Sequence, residues 1–283
     1  NAHKHAFGVS EDLKYALREA IELLGNEATE QLLQRKDISW AGEKTGLNPE
    51  QLSRECLRYM YRLLFLFYIE ARPELGYVPI KTSHSYLKGY SLESLRDLEM
   101  VQLQSEQSLK GHYFHHSIQK LFNLIHTGKP HDQGDLALEG SYSASSTGLT
   151  GFDIHALDSH LFDPKRTAYL QVKFTNQTLQ HVIRLMSLTR ETSGRGRQRR
   201  GRVSYAQLGI NQLGAVYEAL LSYRGFFAKE DLYEVKRPQD NYDELHEGYF
   251  VTANEIDSYA DDEKVYDRND EGLKVLKKHP KGK

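Results

Sequence analysis

The highest local density of positive charge lies in a Gly/Arg-rich stretch. Arg195, Arg197, Arg199, Arg200 and Arg202 fall within eight residues there. Guanidinium groups at this density suit phosphate contact, because each carries a permanent charge and several N–H donors. Such contacts give affinity for a nucleic-acid backbone without reading its sequence. We therefore predict that these five arginines contact the DNA backbone; the alternative is a solvated loop that binds nothing.

A second group of chemistry-bearing residues alternates carboxylates with imidazoles, as metal ligands can do: Asp153, His155, Asp158, His160 and Asp163. Zinc and iron sites need ligands that converge at about 2.0 to 2.2 Å, usually from rigid elements. These residues lie in a predicted loop, so the sequence disfavours a metal site.

The triplet Glu234-Val235-Lys236 resembles half of a divalent-metal nuclease motif, in which two carboxylates hold Mg²⁺ and a lysine helps to position water. Asp231 is too close along the same predicted strand to supply the second carboxylate. A metal-dependent nuclease is therefore an alternative that the sequence disfavours.

Three further histidines flank the start of a predicted helix: His112, His115 and His116. Tyrosine and phenylalanine interleave them, so core packing or solvation is favoured over catalysis.

Recognised catalytic motifs are absent from the sequence. There is no P-loop, no nucleophile elbow and no glycine-rich nucleotide-binding turn after a strand. None of the seven prolines is adjacent to another, which excludes the Asp/Asn-Pro-Pro-Tyr/Phe signature of amino-methyltransferases. We therefore predict that this chain supplies no catalytic residue and binds no metal or cofactor.

Composition predicts a cytoplasmic protein. Cys56 is the only cysteine, so no internal disulfide can form, as suits a reducing compartment. The longest apolar run, 63–69, is far shorter than a membrane span. The net charge of -2 gives no global attraction to nucleic acid, so any such contact must be local.

Hydrophobic periodicity predicts a mainly α fold, with a helical bundle-like body and a small C-terminal α/β or β-rich lobe. Helices are expected at 10–25, 27–34, 49–72, 92–98, 113–126, 176–190 and 205–223, the last broken or tightly packed near Gly209 and Gly214. Short strands are expected at 226–227, 232–235, 249–251 and 265–266.

The predicted domain organisation follows chain order. Residues 1–2 are interpreted as a tag remnant, 3–126 as an N-terminal helical region, 127–160 as a flexible connection, 161–225 as a C-terminal helical region containing the basic loop 193–202, and 226–283 as the strand-containing lobe.

The stretch from Tyr205 to Leu221 reads Tyr-Ala-Gln-Leu-Gly-Ile-Asn-Gln-Leu-Gly-Ala-Val-Tyr-Glu-Ala-Leu-Leu. It resembles the segment that leads into the methylase core of large N6-adenine DNA methyltransferases of type IIG-like restriction–modification proteins and of related BREX- and DISARM-type phage-defence systems. Weaker similarity covers about residues 50–270, and the block 213–221 is the most specific part.

This resemblance implies that the chain is a helical connector between an N-terminal nuclease or helicase-like part and the methylase domain. It does not imply an active site in this chain. In that family the S-adenosylmethionine loop and the catalytic motif lie downstream of the block, so none of their residues has a position here. The parent protein would be an adenine methyltransferase, with or without endonuclease activity, that uses S-adenosylmethionine. Its methylase domain, and restriction or defence-system subunits, would be partners of this chain. A protein-interaction scaffold without DNA contact is the alternative.

The residue types of the block predict close packing. Gly209 and Gly214 would let backbones approach closely, and Tyr217 and Glu218 would hydrogen-bond a neighbouring element or the methylase domain. The predicted packing residues are Leu208, Gly209, Leu213, Gly214, Tyr217, Glu218 and Leu221.

Overall fold

The computed structural model describes residues 2–35, 46–128, 152–157, 159–189, 201–269 and 271–282, with backbone only for 2–7. The chain is mainly α-helical and carries small antiparallel sheets near its C-terminus, which confirms the predicted fold class. Among the described helices, none combines the length and apolar character that a membrane span requires.

Eight α-helices are described. They are α1 (Ala2–Leu33), α2 (Pro49–Glu70), α3 (His84–Gly89), α4 (Leu92–Arg96), α5 (Glu106–Lys110), α6 (Tyr113–Thr127), α7 (Asn176–Ser187) and α8 (Ile210–Leu221). Short 3₁₀ turns occupy Pro73–Leu75, Pro164–Thr167, Tyr205–Gln207 and Ile256–Ser258.

The first helix is continuous, so the predicted stop at Gly25 and the separate helix at 27–34 are wrong. Leu17 and Leu24, on one face of α1, are fully buried. Burial of that face outweighs the lower helix propensity of a single glycine, which is at most about 1 kcal/mol. Gly25 lies against α2, where an added Cβ would be 3.9 Å from the Sγ atom of Cys56.

Helix α2 begins as its sequence predicts. The Oδ1 atom of Asn48 accepts the N–H of Gln51 at 3.0 Å, and Pro49 occupies the first helical position. The helix ends at Glu70, two residues before the predicted boundary. Most side chains from Leu63 to Ile69 are buried, which explains why this stretch is apolar nearly all round.

An aromatic cluster forms the centre of the core around α2. The ring of Tyr59 meets the rings of Phe122 and Phe174 edge-on, at centroid distances of 5.2 and 5.8 Å. Phe162 packs against Phe122 at 5.7 Å. These rings join α2 and α6 to the irregular chain on either side of residue 165.

The chain divides into two compact units that do not follow chain order. The first unit comprises Asn1–Ala28 and Arg54–Ser222, and the second comprises Thr29–Ser53 and Tyr223–Lys283.

The second unit carries the strands. They are β1 (Leu232–Val235), β2 (Tyr249–Thr252), β3 (Tyr266–Arg268), β4 (Lys274–Leu276) and β5 (Lys278–His279). One antiparallel sheet has the order β2-β1-β5, and β3 pairs with β4. The small apolar core of the second unit contains Val235, Val251 and Ile256.

The strand predictions were partly wrong. No strand forms at Phe226–Phe227, where Phe226 is exposed, and β4 and β5 were not predicted. Their lysine-rich sequences lack clear apolar alternation, because these strands pair at the surface rather than across a large core.

We expect Gly25→Ala to raise the free energy of unfolding by up to about 1 kcal/mol, because the methyl group meets the Cys56 sulfur at an ordinary contact distance. The opposite control is Gly111→Ala, whose Cβ would lie 2.8 Å from the Nδ2 atom of Asn176 and should destabilise the protein. Urea denaturation measures both changes. A loss of stability in Gly25→Ala would mean that α1 and α2 approach more closely than described.

Candidate functional site

The two ends of the arginine-rich stretch are bonded to each other. Leu188 and Arg202 form an antiparallel bridge. The N–H of Thr189 donates to the carbonyl of Gly201 at 2.9 Å, and the N–H of Gly201 donates to the Oγ1 atom of Thr189 at 3.0 Å. Residues 188–189 and 201–202 are therefore joined to each other in the first unit. The bridge also explains why α7 ends at Ser187 rather than at residue 190.

The buried side chain of Arg96, in α4, binds the chain just after the Leu188–Arg202 bridge. Its Nη2 atom donates to the carbonyl of Val203 at 2.9 Å, and its Nη1 atom lies 3.1 Å from the Oε2 atom of Glu93. The guanidinium also lies over the rings of Phe67 and Tyr205, with its Cζ atom 5.6 and 5.9 Å from their centroids. Only 8% of the side chain is exposed, so the contacts form in a largely dehydrated environment.

Arg202 is bound by carboxylates of the same unit. Its Nη1, Nη2 and Nε atoms lie 3.3, 3.3 and 3.6 Å from oxygens of Glu93, Asp97 and Glu99. A phosphate would have to compete with these groups, so the described contacts of Arg202 are those of an anchor. The other four arginines of the predicted contact lie outside the described residues: Arg195, Arg197, Arg199 and Arg200.

Sequence reasoning missed this anchor. It identified α4 as a helix but gave no role to its charges. The signal was the spacing of Glu93, Arg96 and Asp97 at i, i+3 and i+4, which places them along one side of a helix. Their partners are about 100 residues away, and the sequence pattern does not indicate that pairing.

Gly209 begins α8 and does not lie inside it. It occupies the N-cap position, and its N–H donates to the Oε1 atom of Gln212 at 2.6 Å. A Cβ on Gly209 would collide with that Oε1 atom. The helix predicted at 205–223 is thus broken at Gly209 but not at Gly214, which lies inside α8. Gly209 makes room for a folded-back capping side chain rather than for a second helix.

One side of α8 packs against the helical body. Val216 and Leu220 of α8 are fully buried, as is Leu208, which precedes the helix. The hydroxyl of Tyr61 donates to the carbonyl of Tyr217 at 2.8 Å, and the centroids of the two rings are 4.0 Å apart. The bond uses the main-chain carbonyl of Tyr217, so the predicted hydrogen bond of its side chain stays a prediction.

Within the described residues, the other side of the predicted packing block is uncovered. Tyr217 and Leu221 are 44% and 56% exposed, and Leu213 is half-buried. Glu218 is exposed, and no described atom outside the local helix backbone lies within 4 Å of a Cβ built on Gly214. The described chain therefore accounts for about half of the block.

The described carboxylate and histidine residues between 153 and 163 do not converge. Asp163 caps a 3₁₀ turn, accepting the N–H of Lys165 at 2.9 Å. Asp153, His155 and His160 are exposed, and Asp158 lies outside the described residues. Across the part of the chain that the structure describes, no three His, Cys, Asp or Glu side chains form a group that could hold a metal ion.

Glu234 lies in a buried charge cluster, but its lysine partner is Lys277 and not Lys236. Its Oε2 atom is 3.2 Å from both the Nζ atom of Lys277 and the Nε2 atom of His279, and its Oε1 atom accepts the hydroxyl of Tyr242 at 3.1 Å. Burial would raise the pKa of Glu234, but the contacts with His279 and Lys277 outweigh it and hold the pKa below its usual value.

Asp231, which immediately precedes β1, does not contact the Glu234 cluster. It pairs with Lys278 at 2.6 Å and accepts the N–H of Lys281 at 2.9 Å. Asp231 and Glu234 thus bind the C-terminal residues 277–281 to the region around β1. Their contacts are those of structural ion pairs.

Two of the three clustered histidines bind the backbone of one residue. The Nδ1 atom of His112 donates to the carbonyl of Phe174 at 2.9 Å, and the N–H of Phe174 donates to the Nδ1 atom of His115 at 3.4 Å. Burial lowers the pKa of His115 to about 4, which keeps it neutral and able to accept. Their contacts are structural, whereas His116 is exposed.

No family model, curated protein sequence or solved structure matches this chain. The resemblance to the methyltransferase segment therefore stays a prediction.

We expect Arg96→Gln to lower the free energy of unfolding by about 2 to 3 kcal/mol, because it removes a buried guanidinium from the carbonyl of Val203. Arg202→Gln, at a side chain that is 42% exposed, should cost at most about 1 kcal/mol. Urea denaturation of the two variants in parallel measures the difference. Equal losses would show that Arg96 is not the main anchor.

Proposed function

We propose that this chain is a non-catalytic helical connector that contacts the DNA backbone within an adenine-specific DNA methyltransferase or restriction–modification protein. One observation carries the DNA contact: the ends of the arginine-rich stretch are bonded together on the helical body and held there by Arg96. The two described ends of the stretch are thereby fixed on the first unit, and the arginines between them in the sequence are the proposed contact residues.

Electrostatics supports a backbone contact rather than sequence reading. The chain as a whole carries a net charge of -2, so attraction to DNA must come from a local cluster. Arg202 is occupied by three carboxylates, which leaves Arg195, Arg197, Arg199 and Arg200 as the proposed phosphate-binding residues. Such contacts fix position on a duplex without selecting bases.

Base flipping and methyl transfer would take place in the methylase domain of the same parent chain. That domain would bind S-adenosylmethionine, and no residue of this chain is assigned to the cofactor. Restriction or phage-defence subunits would be further partners. The role of the helical body is to hold these parts relative to the DNA.

Fluorescence anisotropy with a labelled duplex of mixed sequence tests the DNA contact. Four phosphate contacts predict an affinity that falls about a hundredfold between 50 and 200 mM salt, because the slope of log affinity against log salt is roughly -0.9 per contact. Replacing Arg195, Arg197, Arg199 and Arg200 by glutamine should remove most of that dependence and weaken binding at low salt by at least about tenfold.

Two controls separate charge from folding. The corresponding four lysine substitutions should retain most of the salt dependence, since the charges remain. Arg202→Gln should leave the slope unchanged, because that guanidinium is already paired with Glu93, Asp97 and Glu99. Unaltered DNA binding by the quadruple glutamine variant would contradict the proposal.

A protein-interaction scaffold without DNA contact is a second candidate. The uncovered side of α8, with Leu221 and part of Tyr217 exposed, is the observation that favours it. Absence of salt-sensitive DNA binding in the unmodified chain would leave this candidate as the better account.

A further inference from the structure

A second group of positively charged side chains lies on the first unit, separate in sequence from the arginine-rich stretch. Arg54 and Arg58 are one helical turn apart on α2, and Lys165 and Arg166 are consecutive in the 3₁₀ turn Pro164–Thr167. The Nη1 atom of Arg58 donates to the carbonyl of Arg166 at 2.6 Å, which joins the two pairs. These four residues are named the α2 basic patch.

The 3₁₀ turn is held in place against α2 by hydrogen bonds. Arg62, one turn after Arg58, donates from its Nε and Nη2 atoms to the carbonyls of Leu161 and Asp163 at 2.6 and 2.9 Å. The N–H of Lys165 donates to the Oδ1 atom of Asp163 at 2.9 Å. The turn, and with it Lys165, therefore has a fixed position beside α2.

Acidic groups neutralise only part of the α2 basic patch. The Oδ2 atom of Asp163 lies 4.0 Å from the Nε atom of Arg166, at the limit of an ion pair. Glu50 is exposed one turn before Arg54. Glu55 is buried and accepts a backbone N–H, so it faces away from solvent. Four cations thus share two accessible carboxylates.

An excess of like charge at one place favours the binding of an anion, because the anion relieves the repulsion between the cations. Arg54, Lys165 and Arg166 are exposed. Within the part of the chain that the structure describes, neither Arg54 nor Lys165 forms an ion pair. Guanidinium and ammonium groups of this kind bind phosphate oxygens through charge-assisted hydrogen bonds.

We propose that the α2 basic patch is a second surface that contacts the phosphate backbone of duplex DNA, an inference that rests on the proposed function. Arg54 and Arg58 are about 6 Å apart along α2, close to two steps of about 3.4 Å along one DNA strand. None of the four residues is aromatic, so the patch offers no ring for stacking the bases of a single strand. The patch and the ends of the arginine-rich stretch belong to the same unit, so binding at one raises the effective concentration of DNA at the other.

Fluorescence anisotropy with a labelled duplex tests the patch through the double variant Arg54→Gln with Lys165→Gln. Both side chains are exposed, so the fold should be kept. The slope of log affinity against log salt should become shallower by about 2, in addition to the part due to the arginine-rich stretch, since each phosphate contact contributes roughly 0.9 to 1. Affinity at 100 mM salt should fall by at least about tenfold.

Two control variants separate a local contact from charge in general. Arg54→Lys with Lys165→Arg keeps both charges and should retain the slope. Lys81→Gln with Lys88→Gln removes two exposed charges around α3, which is bonded to the opposite end of α2 through Tyr86 and Glu70. This second control should bind DNA like the unmodified chain. Circular dichroism checks that each variant is folded.

The quadruple glutamine variant of the arginine-rich stretch, measured in parallel, separates this proposal from the proposed function. Unchanged slope and affinity in the patch variant, with binding lost in the quadruple variant, would overturn the patch and leave the arginine-rich stretch as the contact. The reverse result would support the patch and remove the contact proposed for the arginine-rich stretch. A loss in the Lys81 and Lys88 control equal to that of the patch variant would also overturn the patch, and no binding by the unmodified chain would overturn both.

Discussion

Helix α2 is buried on nearly all sides and still carries charged side chains, and the irregular parts of the first unit depend on them. Glu55 accepts the N–H of Tyr169 at 2.7 Å, and Arg62 donates to the carbonyls of Leu161 and Asp163 at 2.6 and 2.9 Å. Backbone groups outside regular structure have no ladder partner, and burying them unpaired costs several kcal/mol. The charged side chains of α2 supply those partners. This constraint explains why a central helix is not purely apolar.

A buried charged side chain also binds backbone groups at the C-terminal end of α2. Glu70 accepts the hydroxyl of Tyr86 at 2.8 Å and the N–H groups of Leu92 and Glu93 at 2.9 and 3.0 Å, which holds the start of α4. Burial raises the pKa of Glu70 to about 7, and the three donors oppose that rise. Helix α4 in turn carries Arg96, which holds the root of the arginine-rich stretch. Buried charges therefore connect the core to the described ends of the segment proposed to meet DNA.

Local chemistry predicted much of the fold. The Asn48-Pro49 start of α2 and the apolar stripe of α6 depend on neighbours within a few residues, so the sequence contains the whole signal. Predictions from the sequence failed where the local structure depends on residues far away along the chain. Gly25 lies inside a helix because its face is buried, and Glu234 pairs with Lys277 rather than with the lysine two residues away. For the arginine-rich stretch, the sequence predicts the charge, whereas the anchoring of its ends depends on contacts about 100 residues apart.

Amide hydrogen exchange after removing one guanidinium tests the central role of α2 most directly. Arg62→Met keeps the apolar stem between the rings of Phe122 and Phe162 but removes the donors. The account predicts that the amides of Arg166 and Tyr169 exchange at least about tenfold faster, a cost of about 1.4 kcal/mol, while those inside α7 are unchanged. Unaltered exchange at Arg166 and Tyr169, or equal acceleration throughout the first unit, would contradict it.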